Sequence, residues 1–266
     1  NWQLGANYLR EQYTLIYMIA TYRKPQVSIL NGIVMGGGAG VSIHGRFRVA
    51  TEKSVFAMPE TAMGLFPDVG EYAGLTGSRF DGAEMLACGL ATHFVSSDKL
   101  PLLEQELVKV NTSDPDAISA IISRFSHIPK LKEGSPYHKM KIIDRCFSRR
   151  TIEEIISTLE SEALDKKEED WISSTIQLLK KASPTSLKIS LRLIREGRLQ
   201  GVDICLVWIQ GHTYRKDRNP KWDPSRVELV RDVDVDRYYT KIDDEDWEDL
   251  KLPPRSYLPP HAIAKL

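Results

Sequence analysis

Cysteine is scarce in this chain: Cys88, Cys146 and Cys205 stand far apart without CxxC spacing. That pattern offers neither a disulfide framework nor a zinc site, and it suits a reducing compartment. An excess of one charge is lacking too. Lys+Arg and Asp+Glu number 36 each in 266 residues, which argues against a general nucleic-acid binder. No apolar run reaches the length needed to span a bilayer. The chain opens Asn1-Trp2-Gln3 with neither an initiator Met nor a signal peptide, so an internal start is expected. The histidines (His44, His93, His127, His138, His212 and His261) are scattered, with no metal-ligand spacing and no Ser or Cys partner in a nucleophile motif. Each is expected to be structural or exposed. No internal repeat or low-complexity tract is present.

What is present alternates short strands with helices and then turns helical. Tyr8 to Ala20 carries apolar residues at helical spacing, and Lys24-Pro25 stops it. Strands are expected at Gln26 to Leu30, Phe47 to Ala50, Ser54 to Ala57 and Thr92 to Val95. Asp81 is expected to cap a helix that ends at Gly89, and Leu100 to Val110 reads as another. Beyond Asn111 the pattern is mainly helical: Thr151 to Ala163 opens with a capping box, Asp170 to Ala182 follows, and Pro184 to Gly197 has Pro in its first turn and Gly near its end. Asp243 to Asp249 is a dense acidic run, read as a solvated segment rather than a metal site. The fold class expected from this order is α/β with a helical appendage.

Two stretches could carry chemistry. The first is Gly36-Gly37-Gly38, with Gly40, after a strand. Glycines there let backbone approach a ligand and leave N–H groups facing outward. The dinucleotide fingerprint fits poorly, and no Lys-Ser/Thr follows to make a P-loop. An oxyanion hole and a structural glycine turn both remain open on composition. The second stretch, Met58 to Gly70, sets Glu60 and Asp68 among apolar residues, prolines and glycines. Such carboxylates suit acid–base or nucleophilic work. On spacing alone, an N-cap Asp and a surface Glu is the simpler reading.

The run KPQVSILNGIVMGGGAGVSIHGRFRVATEKSVFAMPETAMGLFPDV, from Lys24 to Val69, resembles the active-site stretch of the crotonase (enoyl-CoA hydratase/isomerase) superfamily. Asp81 to Val95, Lys181 to Arg198 and Asp217 to Glu228 extend the likeness, which is nearest to that superfamily's 3-hydroxyisobutyryl-CoA hydrolase branch, especially its plant peroxisomal type. The resemblance implies a crotonase-like ββα spiral over residues 1–110 (lacking its N-terminal part), a helical C-terminal region over 111–242, and an acidic and Pro-rich tail over 243–266. It implies hydrolysis of a short 3-hydroxyacyl-CoA, 3-hydroxyisobutyryl-CoA in valine breakdown being the expected substrate. Gly37, flanked by Gly36 and Gly38, matches the oxyanion donor, Glu60 the principal catalytic carboxylate, and Asp68 the second acid. Hydratases of the superfamily carry a Glu where this chain has Gly40. An isomerase needs only one acid and stays open, as does a non-catalytic variant that binds CoA or a homologue. No metal or redox cofactor is implied, CoA being part of the substrate, and a homo-oligomer is open.

The chain also departs from the family. The segment supplying a second oxyanion N–H is expected to be missing, as are an aromatic helix after Gly70 and a stretch between Trp208 and His212. Gln12 stands where family members usually carry an acidic residue near the ligand. The last residues, Ala264-Lys265-Leu266, resemble the Ser-Lys-Leu address of the peroxisomal import receptor, and the prolines before them keep the tail extended. Peroxisomal delivery is therefore expected, with mitochondrion or cytosol as the alternatives.

Overall fold

The structure is a computed structural model, and it describes residues 2–63, 71–165, 170–197, 221–240 and 250–254. The expectations placed on Asp68, Cys205, His212, His261, the acidic run and the terminal tripeptide lie outside those residues.

Helix α1 (Trp2–Ala20) leads into β1 (Val27–Leu30) and β2 (Ile33–Met35), then α2 (Gly37–Ile43), β3 (Phe47–Ala50) and β4 (Val55–Ala57). After a short 3₁₀ turn, Pro59–Met63, come α3 (Glu71–Thr76), β5 (Phe80–Asp81), α4 (Gly82–Ala87) and β6 (His93–Phe94). The strands form two three-stranded sheets, ordered β1-β3-β6 and β2-β4-β5. Each pass of the chain gives one strand to either sheet, which is the ββα spiral. Among the described strand pairs, β4 and β5 run antiparallel and the other three parallel.

Central β3 is buried at all four positions, as a strand covered on both faces should be. One of the four is Arg48. Its guanidinium donates to the backbone carbonyls of Leu90 (2.6 Å), Gly45 (2.8 Å) and Gly89 (3.0 Å), so the buried cation is satisfied by dipoles. Asp81 caps α4 as expected, with Glu84 completing a capping box. Ser135 Oγ adds a 2.7 Å bond to Glu84 Oε1.

The rest is helical: α5 (Leu100–Val108), α6 (Pro115–Phe125), α7 (Met140–Phe147), α8 (Ile152–Asp165), α9 (Asp170–Lys181), α10 (Pro184–Gly197) and α11 (Asp232–Asp236). The main core runs through both parts, from Leu30, Phe56 and Phe80 to Ile155, Leu187 and Val227. Helix α10 is tied to several neighbours. Lys188 pairs with Glu153 (2.8 Å), Arg192 with Asp236 (2.6 Å) and Arg195 with Glu71 (3.3 Å), and Tyr239 Oη donates to Ile189 O (2.9 Å).

The start of α8 follows the capping-box expectation. Thr151 Oγ1 accepts from Glu154 N (3.2 Å) while Glu154 Oε2 accepts from Thr151 N (3.3 Å) and Arg150 N (2.8 Å). Thr151→Ala is therefore expected to cost about 1 kcal/mol, read as a lowered urea midpoint at unchanged slope. An unchanged midpoint would show that this cap contributes nothing.

Candidate active site

The loop after β2 cannot be built without glycine at one position. Gly36 has φ 54° and ψ −132°, a backbone region that side-chain-bearing residues avoid. Its carbonyl accepts from Ala39 N (2.9 Å) and Gly40 N (3.2 Å). Gly37 and Gly38 head α2, where a helix's first N–H groups lack an intrahelical acceptor. A Cβ on Gly36 or Gly38 would meet nothing within 4 Å, so that side of the turn is open. On Gly37 it would meet the Gln12 carboxamide, with Nε2 at 3.4 Å. Helix α1 thus brings Gln12 to the glycine turn.

Glu60 reaches the same place by another route. Strands β2 and β4 are parallel neighbours with Met35 opposite Ala57. Both strands end there, about 4.8 Å apart. The glycine turn begins one residue past Met35, and Glu60 lies three residues past Ala57. Carboxyl ends of parallel strands are where α/β folds place ligands. Glu60 is half-buried, and its Oε2 is shut off from solvent. It is therefore not the surface Glu that spacing alone allows.

The 3₁₀ turn bearing Glu60 is anchored by residues that sequence reading did not single out. Thr61 Oγ1 donates to Leu75 O (3.3 Å), and Thr61 O accepts from Ser183 N (3.0 Å). Gly77, at φ 64°, would set a Cβ 3.4 Å from Met58 O and 3.5 Å from Pro59 Cα. A Thr next to a candidate acid and a Gly after a short helix were visible signals, but their partners depend on tertiary structure.

Among the described residues, two cysteines and three histidines have defined surroundings. Burial pushes the Cys88 thiol up and that of Cys146 up to about 11, so neither supplies a thiolate nucleophile at neutral pH. Burial, with the nearby Arg48 charge, holds His93 below the usual imidazole value. His93 Nδ1 lies 2.9 Å from Thr92 Oγ1, and His138 Nε2 lies 2.9 Å from Lys132 O. The His127 ring meets that of Phe94 edge-on. Among the described residues, no group of three or more His, Cys, Asp or Glu could hold a metal ion. No described helix is long and apolar enough to cross a membrane. A cavity of about 810 Å³ lies beside α3 and α7, walled by Tyr72, Phe80, Tyr137 and Phe147, but neither Glu60 nor the Gly36–Gly38 turn lines it.

The arrangement suits attack on an activated carbonyl. Backbone N–H groups can stabilise a developing oxyanion, while the carboxylate attacks or activates water. The family model described as enoyl-CoA hydratase/isomerase matches residues 1–208. A protein of Arabidopsis thaliana named 3-hydroxyisobutyryl-CoA hydrolase 1 is 56% identical over an alignment covering all of this chain and 78% of that protein. The alignment runs to 299 positions, so the relative carries internal residues with no counterpart in this 266-residue chain. Another protein of that organism, named probable 3-hydroxyisobutyryl-CoA hydrolase 3, is 55% identical over 98% of this chain and 78% of its own length. Among solved structures, a carnitinyl-CoA dehydratase from Mycobacterium thermoresistibile superposes with a TM-score of 0.77 at 28% identity, covering 94% of this chain and 76% of that one.

Proposed function

Because the chain belongs to the enoyl-CoA hydratase/isomerase family, we propose that it hydrolyses 3-hydroxyisobutyryl-CoA to 3-hydroxyisobutyrate and free CoA. The observation that carries this reading is the shared end of β2 and β4, from which the glycine turn and the turn bearing Glu60 both leave. The thioester carbonyl lies against the Gly37 N–H, and Glu60 either attacks its carbon or takes a proton from the attacking water. The carbonyl oxygen takes up negative charge, the C–S bond breaks, and the CoA sulfur leaves and is protonated. Water supplies the hydroxyl of the acid. Asp68 is the second acid in this scheme, and Gln12 contacts the substrate. No metal or redox cofactor is needed, since N–H groups and carboxylates carry each step.

Water addition by a pair of glutamates is disfavoured at Gly40. Glycine supplies no carboxylate there, and its missing Cβ leaves room for the Ile16 Cδ1 methyl of α1, which a Cβ would approach to 2.9 Å. The test is release of free CoA from 3-hydroxyisobutyryl-CoA by the purified chain, followed with a thiol reagent. A double-bond shift without thiol release would point to an isomerase. A folded chain with no turnover would make it a non-catalytic relative.

The reaction belongs to valine breakdown, and the Ala264-Lys265-Leu266 terminus is the proposed address for peroxisomal import. A fluorescent protein fused ahead of the chain should collect in peroxisomes, and removal of that tripeptide should disperse it. An unchanged distribution after removal would sink the address.

A further inference from the structure

We propose that α3 and the start of α10 form a clamp that sets the position of the Glu60 carboxylate, with Thr61 and Ser183 as its positioning residues. The proposal rests on the reading of Glu60 as the reacting acid and adds what holds that acid in place.

A five-residue 3₁₀ turn cannot hold a catalytic geometry alone, since such short helices have poor hydrogen bonds and no stability of their own. The turn Pro59–Met63 is instead gripped on either side of Glu60. On one side, Pro59 has its φ locked by its ring, and its Cα and Met58 O lie against Gly77. On the other side, Thr61 is 1% exposed and is engaged by both its hydroxyl and its main chain. The hydroxyl reaches Leu75 O in the last turn of α3, where helix carbonyls lack an intrahelical donor. The Thr61 carbonyl accepts from Ser183 N at the head of α10.

Ser183 is itself fixed. Its Oγ accepts from Ser186 N (3.2 Å) and its carbonyl from Leu187 N (2.9 Å), so it begins α10. That helix is tied to α3 by Arg195 and Glu71 and to α8 by Lys188 and Glu153. The two jaws of the clamp are therefore braced against each other. Helix positions relayed in this way reach Glu60 through a single intervening peptide. A displacement of about 1 Å can cost on the order of a hundredfold in rate, and second-layer support of this kind decides whether a site is accurate.

The test is steady-state CoA release by the full chain carrying Thr61→Val or Thr61→Ser. Valine keeps the shape and loses the hydroxyl; serine keeps the hydroxyl. Thr61→Val is expected to lower kcat roughly 10- to 100-fold with KM changed less than about twofold, and Thr61→Ser to restore kcat to within about threefold. A Thr61→Val enzyme with full kcat, or serine and valine variants that lose kcat equally, overturns the proposal. Should Thr61→Val fold poorly, amide exchange in the unmodified chain decides instead: the Ser183 N–H must exchange slowly, and exchange as fast as an exposed amide overturns the clamp. Full turnover in Glu60→Gln, or none in the unmodified chain, is a different failure, that of the functional reading.

Discussion

Replacing Glu60 by Gln is expected to abolish release of CoA from 3-hydroxyisobutyryl-CoA, with kcat falling on the order of 10²- to 10⁴-fold. The substitution keeps the size of the side chain and its place at the end of β4. It replaces the anionic oxygen that attacks the thioester or accepts the water's proton with a neutral amide, which is neither nucleophilic nor basic enough for either step. The loss should fall on kcat rather than KM, because the carboxylate matters most where charge is redistributed in the transition state. Glu60 Oε2 is shut off from solvent, so comparing the melting temperatures of parent and variant separates lost chemistry from lost folding. Initial rates across substrate concentration, with a melt of both proteins, make both comparisons. A variant that keeps more than about a tenth of the rate would move the chemistry to another acid, Asp68 being the next to substitute.

Gly82→Ala is expected to be the most damaging small substitution in the spiral. The new Cβ would sit 2.1 Å from Thr51 O and 2.9 Å from Phe94 Cε2. The ring can shift a little, but the carbonyl belongs to the backbone between β3 and β4. Overpacking usually costs about 1–3 kcal/mol when side chains can yield. Against backbone the cost should exceed about 3 kcal/mol, a fall of roughly 10 °C in Tm for a chain of this size. Gly89→Ala is the control: its φ of 80° strains the backbone, but no atom lies within 4 Å of the added carbon. Its Tm should fall much less. Equal falls in the two variants would mean that backbone strain, not the approach to Thr51, sets the cost.

Much of the scaffold was legible where local signals agreed. Asp81 and Gly89 bracket α4, Pro184 and Gly197 bracket α10, and β3 spans Phe47–Ala50 as expected. Strands of two or three residues were harder. Ile33–Met35 and Phe80–Asp81 carry no strand expectation, because so few residues show no alternation. Helix α1 begins at Trp2, six residues before the expected Tyr8. The candidate site divides in the same way. Composition left the glycines open between ligand binding and a plain turn, and it favoured a surface Glu60. The pairing of Met35 with Ala57, a long-range property, brings the ends of the two stretches together. Gln12 reaches Gly37 because α1 packs on α2 through the close approach of Ile16 to Gly40, and no local pattern reports that.

The bond from Ser183 to Thr61 has a consequence for inheritance. Glu60 is encoded upstream of Ser183, with α5 to α9 read in between. Selection on the reaction therefore acts on both stretches at once. A rearranged transcript that kept the motif around Glu60 but discarded the coding for α10 would pass on the recognisable signature without the brace behind it.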